Sequence, residues 1–202
     1  MAASPDPVTA ECLVGTWRLD EASLGRAFES VAEQVPQASG ARFRFSGNAF
    51  IRFEAQGPVV DGERTFDRGV YRAARDLSMV ARVEGRDGRV RYRFQGSEKG
   101  RYSALDGLLW IDGVKSLSSK TTMTQELGSF KRKTTLDSGT ATSETVLPRG
   151  TVTTTVPAPE DTEKVEMLGF YDCSDDALTL STDTGAVGFT RAADSDWPGG
   201  RS

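Results

Sequence analysis

Paired acidic residues have the clearest potential for acid–base chemistry in this sequence. Asp175 adjoins Asp176 and Glu160 adjoins Asp161, and two carboxylates at one site can act as general acid and general base. Adjacent acidic residues in a turn, however, point apart and are usually solvated. The chain also contains no histidine, which is the commonest general base and the commonest metal ligand. We therefore expect this protein not to be an enzyme.

Metal binding is a second chemistry that acidic residues could support. The stretches DGERTFD (61–67) and DDALTLSTD (175–183) supply carboxylate oxygens, but their spacing matches no calcium-binding loop. Two cysteines without any histidine are too few for a structural zinc site. We expect neither a metal site nor another cofactor.

The two cysteines, Cys12 and Cys173, lie near opposite ends of the chain. Each precedes a strand-like segment, and a disulfide would place those two segments side by side. Closing so long a loop would restrict the unfolded chain by about 4–5 kcal/mol in the chain-entropy model. The alternative is a pair of unrelated buried thiols. We favour the disulfide, which indicates an extracytoplasmic location.

Arginines alternate with apolar residues along several predicted strands: Arg42, Arg44, Arg52, Arg89, Arg91 and Arg93. Because they are scattered over different strands, they predict solvated faces rather than one basic patch. The net charge of −4 argues against nucleic acid as a partner. The run Lys131-Arg132-Lys133 is typical of a solvated strand end, and binding of an anion or a membrane surface is the weaker alternative.

The hydrophobic pattern predicts one helix among many strands. A first strand over 12–20 is followed by a helix over 21–35, in which Leu24, Phe28 and Val31 recur at helical spacing. From residue 41 the period changes to two, which is typical of strands. Predicted turns separate these strands: Ser46-Gly47-Asn48, Arg86-Asp87-Gly88, Asp106-Gly107 and Asp175-Asp176. The Ser- and Thr-rich stretch 115–163 predicts two to four more strands, and two final strands follow it.

These elements predict an all-β domain. One strand, one helix and about eight to ten antiparallel strands joined by short turns favour an up-and-down β-barrel. We expect a flexible leader over residues 1–10, the domain over 11–193 and a flexible tail over 194–202. The leader lacks the features of a signal peptide, and no apolar run approaches the roughly 20 residues of a membrane span.

Two short motifs resemble those of lipocalins and of the wider calycin group. Gly15-Thr16-Trp17 on the first strand resembles the Gly-x-Trp motif, and Phe189-Thr190-Arg191 on the last strand resembles the terminal arginine motif. In that family the arginine packs across the tryptophan at the closed end of the barrel. The resemblance therefore implies that Gly15, Trp17 and Arg191 close the barrel through a cation–π contact and hydrogen bonds to carbonyl groups.

The sequence is more closely similar to bacterial lipocalin-like domains, which often occur in secreted proteins or lipoproteins. Their mid-chain Gly-x-Tyr corresponds to Gly100-Arg101-Tyr102, and their Tyr-x-Cys pattern corresponds to Tyr171-Asp172-Cys173 followed by Leu178 and Leu180. The resemblance covers about residues 11–193. The helix is a departure, because lipocalins have a lid loop there, whereas fatty-acid-binding proteins have helices as a cap. Which end of the barrel is accessible therefore stays open.

We expect a monomeric binding module that holds a small hydrophobic or amphipathic ligand inside the barrel. The candidate cavity residues are apolar side chains of the predicted strands: Phe43, Phe45, Ile51, Phe53, Tyr92, Phe94 and Trp110. The alternative is that these side chains fill the barrel, which would then serve as an envelope or surface interaction module without an internal ligand.

Overall fold

The structure is a computed structural model dominated by antiparallel strands. It describes residues 10–35, 40–61, 64–83, 88–137, 140–147, 149–157, 167–182 and 185–198. The acidic pair Glu160–Asp161, the turn residues Arg86 and Asp87, and most of the predicted leader lie outside the described residues.

The strands and helices follow one another in chain order, beginning and ending with a 3-10 turn. The elements are the 3-10 turn Ala10–Leu13, β1 (Gly15–Leu19), α1 (Glu21–Glu33), β2 (Ala41–Asp61), β3 (Arg64–Val83), β4 (Arg89–Leu105), β5 (Leu108–Leu127), β6 (Phe130–Asp137), β7 (Thr140–Leu147), β8 (Gly150–Pro157), β9 (Met167–Cys173), β10 (Ala177–Thr182), β11 (Gly185–Ala192) and the 3-10 turn Asp194–Asp196.

The eleven strands belong to one antiparallel sheet whose hydrogen bonds form a closed ring. β1 pairs with β2 on one side and with β11 on the other, and the pairing continues through β3 and β4 to β5 in one direction and through β10 to β9 in the other. The ring closes where residues 108–111 of β5 pair with residues 167–170 of β9.

Strands β2 to β5 are long and continue beyond the ring. Residues 120–127 of β5 pair with β6, and β7 and β8 follow as further hairpin strands. We call this part of the sheet the extension; it comprises residues 41–48 of β2, 76–83 of β3, 89–96 of β4, 118–127 of β5, and β6, β7 and β8. The prediction of strands within 115–163 is confirmed by β6 to β8 and the distal half of β5.

The predicted turn at Ser46-Gly47-Asn48 is wrong, because β2 runs straight through it. Gly47 has a φ of +123° and lies so close to β3 that an added Cβ would overlap the carbonyl oxygen of Asp76. The glycine thus allows close contact between strands rather than a reversal of the chain.

Other predicted boundaries need smaller corrections. The first strand begins only at Gly15, because residues 10–13 form a 3-10 turn. The predicted helix is confirmed, but it ends at Glu33. Its N-cap is Asp20, whose carboxylate accepts a hydrogen bond from the amide of Ala22 at 2.9 Å. The last part of the chain forms three strands instead of two, and the turn at Asp106-Gly107 is confirmed.

Large side chains fill the interior of the ring. We call the sheet face that carries them the inner face and the opposite one the outer face. Trp17, Phe53, Tyr102 and Ile111 are each at most 2% exposed. The ring of Phe53 contacts Tyr102 edge to face, with centroids 5.1 Å apart. Further buried side chains belong to this core: Leu13, Ala73, Ala104, Leu109, Tyr171 and Leu178.

The predicted disulfide between Cys12 and Cys173 is present, and it joins the chain entry to β9. Their Cα atoms are 5.9 Å apart, and both residues pack against the ring core. Among the described residues no helix has the length and apolarity that crossing a membrane requires.

Candidate functional site

The ends of the domain meet at Trp17 and Arg191, which are direct partners of β1 and β11. The guanidinium carbon of Arg191 lies 4.1 Å from the centroid of the Trp17 ring. Arg191 donates hydrogen bonds to the carbonyl oxygens of Cys12 and Val14 at 2.9 Å, and also to that of Asp175. An added Cβ on Gly15 would lie 2.5 Å from the Arg191 guanidinium. This cluster closes the ring between β1 and β11.

Four of the candidate cavity residues, Phe43, Phe45, Tyr92 and Phe94, lie together on the inner face of the extension. Cross-strand register places Phe45 beside Met79 and Met79 beside Tyr92. All four are half-buried, and Tyr92 stacks in parallel on Phe94 with centroids 5.8 Å apart. We call Phe43, Phe45, Tyr92 and Phe94, with Phe28 of α1, the aromatic face.

Helix α1 borders the aromatic face. It packs against β2 and β11, the two neighbours of β1, and Phe28 approaches Phe43 and Phe45 with centroids 5.7 and 5.1 Å apart. The carboxylate of Glu21 accepts a hydrogen bond from the Gly47 amide at 3.1 Å. The helix therefore provides a hydrogen-bond acceptor for part of the β2 edge that β1 leaves unpaired.

A second hydrogen bond fixes the other side of the helix. The hydroxyl of Ser23 accepts a hydrogen bond from the Gly188 amide of β11 at 2.6 Å. Phe28 and Val31 nevertheless remain 42% and 41% exposed. Helix α1 thus keeps apolar surface at the border of the aromatic face.

A polar cluster separates the aromatic face from the ring core. The hydroxyl of Tyr71 donates to Glu98 at 3.0 Å, and the guanidinium of Arg75 donates to the other oxygen of the same carboxylate at 3.2 Å. Burial, followed by the charge of Glu98, raises the pKa of Tyr71 well above its usual range. The cluster therefore holds a neutral phenol and an ion pair at the inner end of the aromatic face.

An apolar cavity of about 310 Å³ lies at the distal end of the same sheet face. Ala81, Val90 and Gln125 follow one another across neighbouring strands in its floor, and Leu127 and Phe130 complete its wall. The aromatic face thus runs from a polar cluster at one end to an apolar cavity at the other.

The remaining cavity candidates lie elsewhere. Ile51 and Phe53 belong to the ring core. Trp110 lies on the opposite face of β5 from Leu109 and Ile111, with its ring centroid 6.1 Å from that of Phe66. The seven candidate residues therefore do not line one common cavity in the described part of the chain.

A more polar groove of about 650 Å³ occupies the outer face where the extension leaves the ring. Phe50 and Ala74 form part of its floor, and Asp76 lies at its side. Arg93 donates two hydrogen bonds of 3.0 Å to Asp76, and these hold the pKa of that carboxyl below its usual range. The carboxylate is therefore already paired.

The backbone of the acidic pair Asp175–Asp176 has a structural role. It lies in the turn between β9 and β10, where backbone carbonyls of both residues accept hydrogen bonds from Arg191. Both side chains are exposed. Among the described residues, no group of three or more acidic residues or cysteines is arranged to hold a metal ion.

Sequence reasoning missed the polar cluster and part of the core. Tyr102 lies between Arg101 and Ser103, so its inward orientation is visible in the sequence. Tyr71 lies between Val70 and Arg72, and its strand has no such alternation. The contact between Tyr71 and Glu98 depends on the β3–β4 register, which the sequence does not specify.

Comparison with known proteins adds no relative. No family model, no curated protein and no solved structure matches this chain.

Proposed function

We propose that this protein is an extracytoplasmic, lipocalin-like β-barrel that binds a small amphipathic ligand on its aromatic face and catalyses no reaction. The observation that carries the proposal is the position of Phe43, Phe45, Tyr92 and Phe94. They share one half-buried surface, whereas the ring interior is filled by large side chains. The ligand site therefore belongs to the mouth of the barrel rather than to its interior.

The polar cluster suits the head group of such a ligand. Arg75 already donates to Glu98, and its side chain keeps 39% of its surface exposed. A carboxylate or sulfate head group can accept its remaining N–H donors. The aromatic rings and the distal cavity then cover the apolar tail.

The disulfide supports the proposed location. Disulfides persist in oxidising compartments, and Cys12–Cys173 is the kind of long-range bond that stabilises secreted domains. The ring of strands, the cation–π closure and the ordered motifs together support the lipocalin-like assignment.

Calorimetric titration with laurate and with dodecanol tests the proposed site. We expect Phe94→Ser to weaken binding of both compounds at least ten-fold, because it removes the stacked partner of Tyr92. Arg75→Gln should weaken binding of laurate but not of dodecanol, because only laurate carries a charged head group. The matched control is Phe170→Ser, which changes a 62% exposed ring on β9.

Two results would count against this function. Equal losses in Phe94→Ser and Phe170→Ser would show non-specific adsorption. No binding of either compound, with folding intact, would favour the packed interaction module. For that module, the exposed outer side chains Leu168 and Phe170, at 60% and 62%, are the most suitable contact surface.

A further inference from the structure

Strand β8 leaves one of its edges free. It is the last strand of the sheet and, among the described strands, it pairs only with β7. Every residue of β8 is exposed. Since the N–H and C=O groups of alternate residues in a strand point to opposite edges, half of the backbone groups of β8 face away from β7.

The edge of β2 that β1 leaves unpaired is protected, in contrast to that of β8. Helix α1 lies beside it, and the carboxylate of Glu21 accepts a hydrogen bond from the Gly47 amide at 3.1 Å. The carboxylate of Glu29 accepts one from the Phe43 amide at 3.4 Å. Charged side chains and prolines are other means by which edge strands avoid pairing with further chains. β8 contains no charged residue, and its only proline is its last residue.

The sequence of β8 is symmetric about its middle. The five residues Val152-Thr153-Thr154-Thr155-Val156 read the same in both directions. In an antiparallel pair of two such strands centred on Thr154, Val152 of each copy lies opposite Val156 of the other. Likewise Thr153 lies opposite Thr155, and Thr154 lies opposite its own copy. An interface with two-fold symmetry requires this self-complementarity, and here no like charges meet.

This pairing would also cover apolar side chains of the edge. Val152 and Val156 are 55% and 49% exposed. Val156 lies in one cross-strand row with Leu136 of β6 and Ala141 of β7. In the symmetric pair, Val152 of the second copy continues that row. Contacts between directly opposite β-branched side chains stabilise antiparallel sheets.

We propose that β8 pairs antiparallel with β8 of a second copy of this chain, with the two-fold axis at Thr154. Because β8 is the terminal strand of the described sheet, the pairing occupies the free edge of both copies, and the assembly closes at two chains. One pair of short strands forms a small interface, so we expect monomer and dimer to exchange at micromolar concentrations. The edge thus favours a dimer over the monomer that we expect from the sequence as a whole.

Sedimentation velocity of the full chain, between about 1 and 200 µM, tests this pairing without reference to ligand binding. We expect the unmodified protein to shift from monomer to dimer over this range. Thr154→Lys and Thr154→Glu should each raise the dissociation constant of the dimer at least ten-fold, because each places like charges opposite each other at the axis. An equimolar mixture of the two variants should dimerise again, because opposite charges then meet.

The matched control is Thr65→Lys, which adds the same charge to an exposed threonine of β3. We expect it to dimerise like the unmodified protein. A monomer at every concentration would overturn the proposal and leave the edge to an extended segment of another protein. Dimerisation that Thr154→Lys leaves unchanged, or that Thr65→Lys weakens equally, would overturn it as well.

Cysteine cross-linking tests the register. Opposite Cα atoms of antiparallel strands lie about 4.5–5.5 Å apart, which a disulfide can span. Under mild oxidation Thr154→Cys should therefore form a covalent dimer. Val152→Cys should not link to itself, but it should link to Val156→Cys when the two variants are mixed. The two native cysteines are bonded to each other and do not interfere. Efficient self-linking of Val152→Cys without self-linking of Thr154→Cys would contradict the proposed axis.

Discussion

At the residue scale, one guanidinium group determines how the two ends of the domain meet. Arg191 stacks on Trp17 and donates to backbone carbonyls from the chain entry and from the β9–β10 turn. A planar group with five donors can satisfy several carbonyls at once, whereas a lysine ammonium cannot do so in this geometry. The same contact explains why residue 15 is a glycine, because a side chain there would overlap the guanidinium.

Ionisation of buried tyrosines makes the stability of the fold depend on pH. Burial raises the pKa of Tyr102 to about 12, from a usual value of about 10. The folded state therefore favours the neutral phenol. Its stabilising contribution is fully present below pH 10 and is lost as the pH rises towards 12, with a limiting slope of about 1.4 kcal/mol per pH unit. We expect Tyr102→Phe to reduce the loss of stability between pH 9 and pH 11, measured by urea unfolding.

Tyr92→Phe is the control for this measurement, because it removes a hydroxyl from a half-buried ring outside the ring core. We expect its pH profile to match that of the unmodified protein. If Tyr102→Phe lost stability as steeply as the unmodified protein, the buried phenol would not be the cause.

At the element scale, β2 shows both what a sequence pattern predicts and where it fails. The alternation of Phe43 and Phe45 with arginines correctly predicts a strand with one apolar face. Ser46-Gly47-Asn48 has the composition of a turn, yet the strand continues because Gly47 fits against the carbonyl of Asp76. Turn composition is local, whereas this fit depends on a strand that follows later in the chain.

Two glycines of β2 allow the cost of steric overlap to be distinguished from the cost of backbone strain. Gly47 and Gly57 have φ values of +123° and +100°, but only an alanine at position 47 would overlap backbone atoms. We expect Gly57→Ala to cost about 1–3 kcal/mol, the range for a residue held in a rare conformation. Gly47→Ala should cost more than Gly57→Ala in chemical denaturation. Equal costs would mean that β2 and β3 separate easily at this point.

The sequence pattern of a single strand also does not predict which charged and polar groups pair across strands. Arg42, Arg82 and Arg89 become neighbours only through the registers of β2 with β3 and of β3 with β4. Tyr71 and Glu98 meet for the same reason. Alternation predicts which face a residue occupies, but it does not predict which residue of the next strand lies opposite.

At the scale of the whole molecule, the disulfide connects elements that are 161 residues apart in sequence. We expect Cys12→Ser/Cys173→Ser to lower the free energy of unfolding by about 4–5 kcal/mol, chiefly through the greater freedom of the unfolded chain. Urea unfolding of the variant and of the unmodified protein, each with and without reductant, measures the difference. A reductant that destabilised the variant as much as the unmodified protein would contradict this account.

The ring of strands could be predicted in outline because its elements have strong local signals. The cysteines and the motifs around Trp17 and Arg191 indicated that the ends of the chain meet, and the structure places them together. The extension could not be predicted, because nothing in the polar strands β6 to β8 shows which edge of which strand they join.

At β5 the sheet divides into the ring and the extension. Residues 108–111 and 120–127 use the same edge of β5, the first for β9 and the second for β6. The stretch from β6 to β8 therefore leaves and rejoins one strand without interrupting the ring. The hydrogen bonds that close the ring therefore involve no residue of that stretch.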